Sequence, residues 1–329
     1  MHYSPVPMHI PDGFLSVAVS LLCWALSLVA IAYALRRANR VLGEKQVPLM
    51  GVLAACIFAG QMLNFTVAGG TSGHLMGAAL ATILLGPWAA LLVMTAVVSV
   101  QALIFQDGGL LALGANILDM GVVGVAVSYF AYNTLRRLLG TKRSSILISG
   151  AVAAWLSIMI ASLAVALQIA LSGTSPANIA IPAMALIHAI IGIGEGLITA
   201  GALAFIVAAR PDLLNLAGGG AKAVNGRLVG LAGLAIALAL AVLSPLASAN
   251  PDGLEWVAEQ NGFLARAQEP VYNIIPDYVM PGIPNEALAT IIAGVAGLLI
   301  VFGVAIAMAY SQRKQPSSMA AQDAPTLSK

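Results

Sequence analysis

Charged side chains are scarce in this chain. Only 9% of its 329 residues are Asp, Glu, Lys or Arg, whereas 60% are hydrophobic. Soluble domains have about a quarter of their residues charged, so this composition excludes an ordinary soluble domain. Cysteine is also scarce: Cys23 and Cys56 both lie within apolar runs, which predicts a packing role and excludes a disulfide framework. The net charge of +2 gives no indication of nucleic-acid binding, and we expect no nucleic-acid partner.

Long apolar runs dominate the sequence instead. Runs of about 20 apolar residues match the thickness of the bilayer core, where membrane lipid surrounds them. Gly86-Pro87 interrupts one such run, because proline lacks a backbone donor and disfavours helix in the residue before it. We therefore predict an all-α integral membrane protein, a helical bundle of about nine transmembrane spans at residues 14–35, 47–66, 74–86, 88–106, 110–135, 145–172, 177–209, 228–247 and 287–311.

The basic residues predict the orientation, since Lys and Arg accumulate in cytoplasmic loops. If the region 74–106 crosses the membrane twice, all the Lys and Arg residues except Arg266 fall on one side. A single crossing would make the basic groups alternate between sides. These groups are Arg36, Arg37, Arg40 and Lys45; Arg136, Arg137, Lys142 and Arg143; Arg210, Lys222 and Arg227; and Arg313, Lys314 and Lys329. We therefore predict that the N-terminus lies outside and the C-terminal tail in the cytoplasm.

Histidine is the scarce residue whose placement is most informative. The four histidines are His2, His9, His74 and His188. His9 follows Met8 and precedes a Pro-Asp-Gly turn and the first apolar run, and His74 opens the third. The predicted topology places His9 and His74 on the outer surface, where they can meet. Imidazole is the commonest metal ligand, so the pair indicates a metal site.

A histidine in the second position of a free N-terminus is a strong chelator. The terminal amine, the deprotonated His amide nitrogen and imidazole Nδ1 close two chelate rings around one ion, and a second imidazole completes a plane of nitrogens. This geometry suits Ni(II) or Cu(II), whereas zinc prefers a tetrahedron. Met8, His9 and His74 would supply these ligands. Met8 follows Pro7, however, so its nitrogen is an amide in the printed chain. Either translation starts at Met8, or residues 1–7 are removed, or the site differs.

Four ordered motifs carry a resemblance to a known family. They are Met8 to Ser16, Gly70 to Gly77, Gln101 to Leu110 with Leu113-Gly114-Ala115-Asn116, and His188 to Thr199. Together they resemble the CbiM/NikM family, the substrate-binding S components of energy-coupling-factor transporters for cobalt and nickel. The resemblance implies that His9 and His74 bind the metal and that Met8 supplies the amine. It also implies a bacterial or archaeal inner membrane, a coupling subunit of the CbiQ/NikQ type and ATPases of the CbiO/NikO type.

A second resemblance covers the C-terminal part. The string Asn250-Pro251-Asp252-Gly253-Leu254-Glu255, followed by Pro276-Asp277-Tyr278 and a last apolar run, resembles the PDGLE domain, a helper module akin to CbiN and NikN. The segment 248–286 is predominantly acidic, which would raise the local cation concentration, although exclusion of Lys and Arg from an outer loop explains it equally well. We predict an N-terminal extension at 1–7, an S component at 8–215, a linker at 216–227, the two-span PDGLE domain at 228–311 and a tail at 312–329.

Other polar residues lie in or near the predicted spans. Gln101, Asp107 and Asn116 flank an outer loop, in which Asp107-Gly108-Gly109 is typical of an interfacial turn. The family resemblance implies that this loop lies near the metal site and supports the ligands, Asn116 being the best candidate to orient an imidazole. Asp119 would equally pair within the bundle. His188 and Glu195, two turns apart on one helix, are expected to lie too deep for direct metal capture and to form a structural or partner-facing pair.

Motifs that would make the chain self-sufficient are missing. The sequence has no phosphate-binding loop, nucleophile elbow or zinc-protease motif, so we expect a transporter component and no enzyme. No permanently bound cofactor is expected, and Ni(II) or Co(II) is the substrate. The sequence therefore predicts the metal-binding component of an ATP-driven energy-coupling-factor importer. The alternative is a self-sufficient carrier or channel that uses Asp119, His188 and Glu195.

Overall fold

The computed structural model describes residues 9–38, 46–140, 142–214 and 226–311. The expectations for Met8, for the extension 1–7, for most of the linker and for the tail 312–329 lie outside these residues. The helices are α1 (Val17–Ala38), α2 (Gln46–Gln61), α3 (Ala78–Leu85), α4 (Pro87–Phe105), α5 (Leu113–Asn116), α6 (Gly124–Leu139), α7 (Arg143–Leu171), α8 (Ala177–Ala209), α9 (Gly226–Leu243), α10 (Gly253–Gln260) and α11 (Glu286–Ser311).

Shorter elements connect these helices. A π-helical segment, Ile117–Val123, joins α5 to α6 without a break, and such segments are often found at functional sites. Strands β1 (Phe65–Val67) and β2 (Thr71–Gly73) pair antiparallel, with Phe65 opposite Gly73. Short 3₁₀ turns occupy Pro211–Leu214, Ser244–Leu246, Leu264–Arg266 and Pro276–Tyr278.

The prediction of an all-α membrane protein is confirmed, but the count of nine spans is not. Within the described residues, six helices are long and apolar enough to cross a membrane, and Gln46–Gln61 and Gly230–Leu246 are shorter apolar helices. The predicted span 74–86 contains only the eight residues of α3, a rise of about 12 Å against a hydrocarbon core of about 30 Å. The reason is local: Gly77 and Gly86 both adopt positive φ and bound the helix on either side, and Pro87 starts α4.

The C-terminal helices pack against the N-terminal body. Both α9 and α11 lie on α2, and α11 also contacts α4. Gly297 of α11 faces the rings of Phe58 and Phe105, and the Cys56 thiol donates to the Gly233 carbonyl at 3.3 Å. Small residues let helices approach closely where lipid removes any hydrophobic drive between them. The two parts of the chain are therefore joined within the bundle.

Loops from both parts also meet at one end of this bundle. The Gly109 amide donates to the Ile10 carbonyl at 3.0 Å, and the Gln268 amide donates to the Asp12 carbonyl at 2.8 Å. The Ser72 amide donates to the Pro251 carbonyl at 2.8 Å. The segment before α1, the β-hairpin, the loop after α4 and the loop between α9 and α11 thus form one continuous structure.

Candidate metal centre

His9 and His74 lie side by side at this end of the bundle. Their ring centroids are 5.8 Å apart and the rings are nearly perpendicular, with an interplanar angle of 84°. His9 is buried, with 4% of its surface exposed, and His74 is half-buried. The sequence predicted that these two residues would meet, and the structure brings them together. Their role as metal ligands stays a prediction.

The loop after α4 holds the segment that carries His9. The Asp12 carboxylate accepts hydrogen bonds from the amides of Leu110, at 3.0 Å, and Ala112, at 2.9 Å. The Asn116 side chain accepts from the Ile10 amide at 3.0 Å and donates to the Ile10 carbonyl at 3.1 Å. Asn116 therefore supports the main chain next to His9. The sequence had favoured a different contact, in which Asn116 orients an imidazole ring.

The imidazole of His9 is oriented by Asp107. Nδ1–H of His9 donates to Asp107 Oδ1 at 3.2 Å and approaches the Asp107 carbonyl oxygen at 3.3 Å. Nε2 of His9 is buried and has no hydrogen-bond partner. Burial alone would lower the pKa of His9, but the Asp107 carboxylate outweighs it and the net pKa is raised. The planar chelate expected from the sequence uses Nδ1, which in this arrangement is committed to Asp107.

Asp107 is itself held by the C-terminal domain. The Tyr278 hydroxyl donates to Asp107 Oδ2 at 2.5 Å, and buried Gln101 lies near the same hydroxyl. Burial would raise the pKa of Asp107, but His9 and the Tyr278 hydroxyl outweigh it and lower the net pKa. Asp107 therefore contacts His9 directly, whereas Gln101 lies near Tyr278, and the supporting role of both residues stays a prediction.

Glu195 supports the loop that carries His74. Its carboxylate is fully buried and accepts hydrogen bonds from the Met76 amide at 2.7 Å and the Gly77 amide at 3.1 Å. These amides precede the first turn of α3, where backbone donors lack intrahelical partners. The structural role that the sequence favoured for Glu195 agrees with this geometry. The β-hairpin fixes the other side of His74, because Ser72 Oγ donates to the Asn250 carbonyl at 2.8 Å.

A cavity of about 90 Å³ adjoins the two histidines. Its polar lining consists of His9, His74, Asn116, Asp119, Ser162, His188 and Asp252. The expectation that His188 lies too deep is wrong, because His188 lines the same cavity as the histidine pair. The loop bearing His74 dips into the bundle, so that Gly73 packs against Ile191, one turn from His188. Asp119 pairs with Gln168 at 2.7 Å, as the in-bundle alternative predicted.

The C-terminal domain closes this cavity with the start of α10. Asp252 caps α10 by accepting from the Glu255 amide at 2.7 Å. A Cβ added to Gly253 would lie 2.6 Å from Cδ1 of Ile191, 3.0 Å from Cε1 of His188 and 3.1 Å from Nε2 of His188, so a larger residue here would force these side chains to shift. Burial, opposed by the Glu255 amide, raises the pKa of Asp252 to about 8.

A larger cavity of about 320 Å³ lies on the other side of His9. Three carboxylates of the C-terminal loop line it: Glu255, Glu269 and Asp277. Burial raises the pKa of Glu255 to about 7 and that of Asp277 to about 6. The acidic loop thus forms one wall of a cavity that reaches His9.

Sequence reasoning missed Tyr278, Asp252 and Gly253 as neighbours of the histidine pair. Each belongs to a string that the sequence made conspicuous, Pro-Asp-Gly-Leu-Glu or Pro-Asp-Tyr, but nothing in the spacing placed these strings beside His9. No group of three or more His, Cys, Asp or Glu residues with metal-binding geometry occurs among the described residues.

Comparisons with known proteins agree with this architecture. The family model described as CbiM, cobalt uptake substrate-specific transmembrane region, matches residues 9–213, and the PDGLE domain model matches residues 227–314. A protein of Archaeoglobus fulgidus that carries the name NikMN, a fused nickel transport protein, is 38% identical over 307 residues, covering 92% of this chain and 98% of the relative. The cobalt transport protein CbiM of Sorangium cellulosum is 34% identical over 213 residues, 63% of this chain and 95% of the relative.

A solved structure is also similar to this chain. A crystal structure of a transition metal transporter superposes with a TM-score of 0.56 at 32% identity, covering 63% of this chain and 97% of the other. Its coverage agrees with a match to the N-terminal body without the C-terminal domain. The chain therefore belongs to the CbiM family of cobalt and nickel transport proteins, and it carries a C-terminal PDGLE domain in the same polypeptide.

Proposed function

We propose that this protein is the substrate-binding membrane component of an ATP-driven energy-coupling-factor importer for nickel or cobalt ions. The observation that carries the proposal is the adjacent His9–His74 pair, in which buried His9 has an unpartnered imidazole nitrogen beside a small cavity. The location is a bacterial or archaeal inner membrane. The partners are a coupling subunit of the CbiQ/NikQ type and ATPases of the CbiO/NikO type, whose hydrolysis drives release of the ion to the cytoplasm.

The ligands in this proposal are the Met8 amine, the amide nitrogen and imidazole of His9, and the imidazole of His74. If the mature chain begins at Met8, its free amine completes a planar set that favours nickel, and Nδ1 of His9 must leave Asp107 to join it. If residues 1–7 are retained, the amine is lost and Nε2 of His9 is the available nitrogen. The intact mass of the purified protein distinguishes the two forms.

The acidic cavity supports a route from outside to the histidine pair. The outer cavity, at about 320 Å³, is more than three times as large as the inner cavity, at about 90 Å³. The outer cavity therefore offers more room to an ion that keeps its hydration shell. The three carboxylates of the outer cavity would attract cations to this entrance.

Uptake of radioactive nickel or cobalt by cells that express the complete transporter tests the proposal. We expect His9→Ala and His74→Ala each to abolish uptake while the amount of protein in the membrane is unchanged. Omitting the ATPases should also abolish uptake by the unmodified chain. Uptake that survives both substitutions, or that needs no ATPase, would contradict the proposal, and the second result would favour a self-sufficient carrier.

A further inference from the structure

A thin wall separates the two cavities beside the histidine pair. Among the residues that the structure describes, the linings of the two cavities have only His9 and Leu254 in common. Leu254 is buried, with 7% of its surface exposed, and its side chain carries no atom that could bind an ion. Because His9 is a proposed ligand, the part of the boundary that the C-terminal domain contributes is apolar.

The first turn of α10 passes from the inner cavity to the outer one. Residues 252–253 line the inner cavity alone, Leu254 lines both cavities, and Glu255 lines the outer cavity alone. Successive side chains of a helix point about 100° apart, so one turn can present a different side chain to each space. The Asp-Gly-Leu-Glu string that is conspicuous in the sequence therefore lies across the wall.

Hydrogen bonds hold this turn in place. The Asp252 carboxylate caps α10 by accepting from the Glu255 amide at 2.7 Å. Just before the turn, the Pro251 carbonyl accepts from the Ser72 amide at 2.8 Å, which ties the start of α10 to strand β2. Leu254 thus lies on a turn that is fixed both within α10 and to the loop that carries the second histidine.

An apolar boundary opposes the passage of a hydrated ion. In the outer cavity, water and carboxylates can surround a divalent cation, but a leucine side chain offers no oxygen or nitrogen atom to replace the water that the ion loses. Taking a charge out of water without such replacement is costly. Hydrophobic constrictions in channels stop ions by excluding water in this way. The highest barrier between the acidic entrance and the imidazoles therefore lies at Leu254.

We propose that Leu254 is the barrier residue that sets how fast the metal ion enters and leaves the histidine site. The PDGLE domain thereby determines the rate of exchange, whereas the ligands of the N-terminal body determine the affinity. The role of Leu254 rests on the proposed function, because it requires the ion to bind at the histidine pair. A rate and an affinity are measured separately, so the two claims can be distinguished.

The experiment compares Leu254→Ala with the unmodified full-length protein, both loaded with radioactive nickel. The substitution shortens the side chain to a methyl group and opens the wall between the cavities. Dilution into excess EDTA, followed by measurement of the nickel retained over time, gives the dissociation rate. Equilibrium dialysis gives the dissociation constant, and the ratio of the two gives the association rate. Val257→Ala is the matched control, since Val257 is fully buried in the same helix and lines neither cavity.

We expect Leu254→Ala to raise the dissociation and association rates together, each by about tenfold or more, because a tenfold change in rate needs only a small part of the cost of dehydrating an ion. The dissociation constant should stay close to that of the unmodified protein, since the ligands are unchanged. Val257→Ala should lower the melting temperature and leave both rates unchanged. Leu254→Met conserves volume and apolar character, so exchange should stay slow. Leu254→Val is a smaller truncation and should give intermediate rates, which decide the matter if Leu254→Ala does not fold.

Unchanged dissociation rates in Leu254→Ala and Leu254→Val would overturn the inference. Faster dissociation with a proportionate rise in the dissociation constant would also overturn it, because Leu254 would then stabilise the bound state and would not act as a barrier. His9→Ala in the same dialysis tests the site itself. If His9→Ala abolishes binding while Leu254→Ala exchanges nickel at the unmodified rate, the proposed function stands and the inference fails. If His9→Ala leaves binding intact, the proposed site is wrong.

Discussion

Replacing Glu195 separates a structural role for this residue from a role in ion conduction. The carboxylate accepts from the amides of Met76 and Gly77, two and three residues after His74. Glu195→Ala leaves both buried amides unpaired, and at about 1–3 kcal/mol for each the variant should be less stable by about 2–6 kcal/mol. Glu195→Gln keeps one carbonyl oxygen as an acceptor, so it should lose about 1–3 kcal/mol.

The assay measures stability and metal binding in the same protein samples. Thermal unfolding in detergent should rank the unmodified chain above Glu195→Gln and that variant above Glu195→Ala. The dissociation constant for Ni(II) should rise in the same order, because the unpaired amides release the loop that carries His74. Glu286→Gln is the control, since Glu286 is exposed at the start of α11 and lines neither cavity.

The competing model makes the opposite prediction for Glu195→Gln. If Glu195 carried ions through the membrane in a self-sufficient carrier, loss of its charge would abolish uptake while stability and metal affinity stayed at the unmodified level. That result would refute the structural role derived from the two hydrogen bonds. Reduced uptake accompanied by proportionate losses of stability and affinity would support it.

Three further substitutions test other parts of the site. Asp12→Ala should weaken nickel binding about five- to thirtyfold, the equivalent of one or two kcal/mol, because the Leu110 and Ala112 amides lose their acceptor; calorimetric titration measures this. The pKa of Asp252 is about 8 in the folded chain and 3.8 in the unfolded chain, so the folded state loses stability as pH rises between these values. Thermal unfolding at several pH values should show this loss, and the loss should be smaller in Asp252→Asn. Gly253→Ala should lower the melting temperature because its Cβ meets His188, whereas Gly201→Ala, with open space at Cβ, should not.

The helical framework could be predicted because apolar runs and basic residues report directly on membrane insertion. The proximity of His9 and His74 also followed from topology alone, since both residues precede apolar segments on the same predicted side. The third span could not be predicted correctly. Hydropathy counts the residues 74–86 as one apolar run, but the positive φ of Gly77 and Gly86 leaves only α3 helical. The depth of His74 in the bundle then follows from the path of the loop that carries it. For this reason His188 lies nearer the histidine pair than its position along α8 suggested.

The supporting residues of the site depend on contacts that no local pattern encodes. Asp107 and Asn116 belong to a motif beside α4, and their general role was predictable from it. Tyr278 hydrogen-bonds to Asp107 across 171 positions in the chain, and that contact exists only because α9 and α11 pack on α2 and α4. The stacking of Tyr278 on Phe105 is part of the same interface. Composition and residue spacing describe each domain separately, whereas the contact between Tyr278 and Asp107 forms only when the two domains are docked.

The docked arrangement changes how the PDGLE domain should be regarded. An acidic loop that merely concentrated cations would act at any position near the entrance, and its residues would be replaceable by other acids. Here Gly253 approaches His188 and Ile191 so closely that an added methyl group would force their side chains to shift, and Tyr278 contacts Asp107 through a single hydroxyl. These contacts depend on geometry and are insensitive to net charge. The domain therefore forms part of the wall and the support of the histidine site, and variants that preserve its charge but alter these two residues should disturb metal binding more than removal of an acidic side chain from the outer cavity.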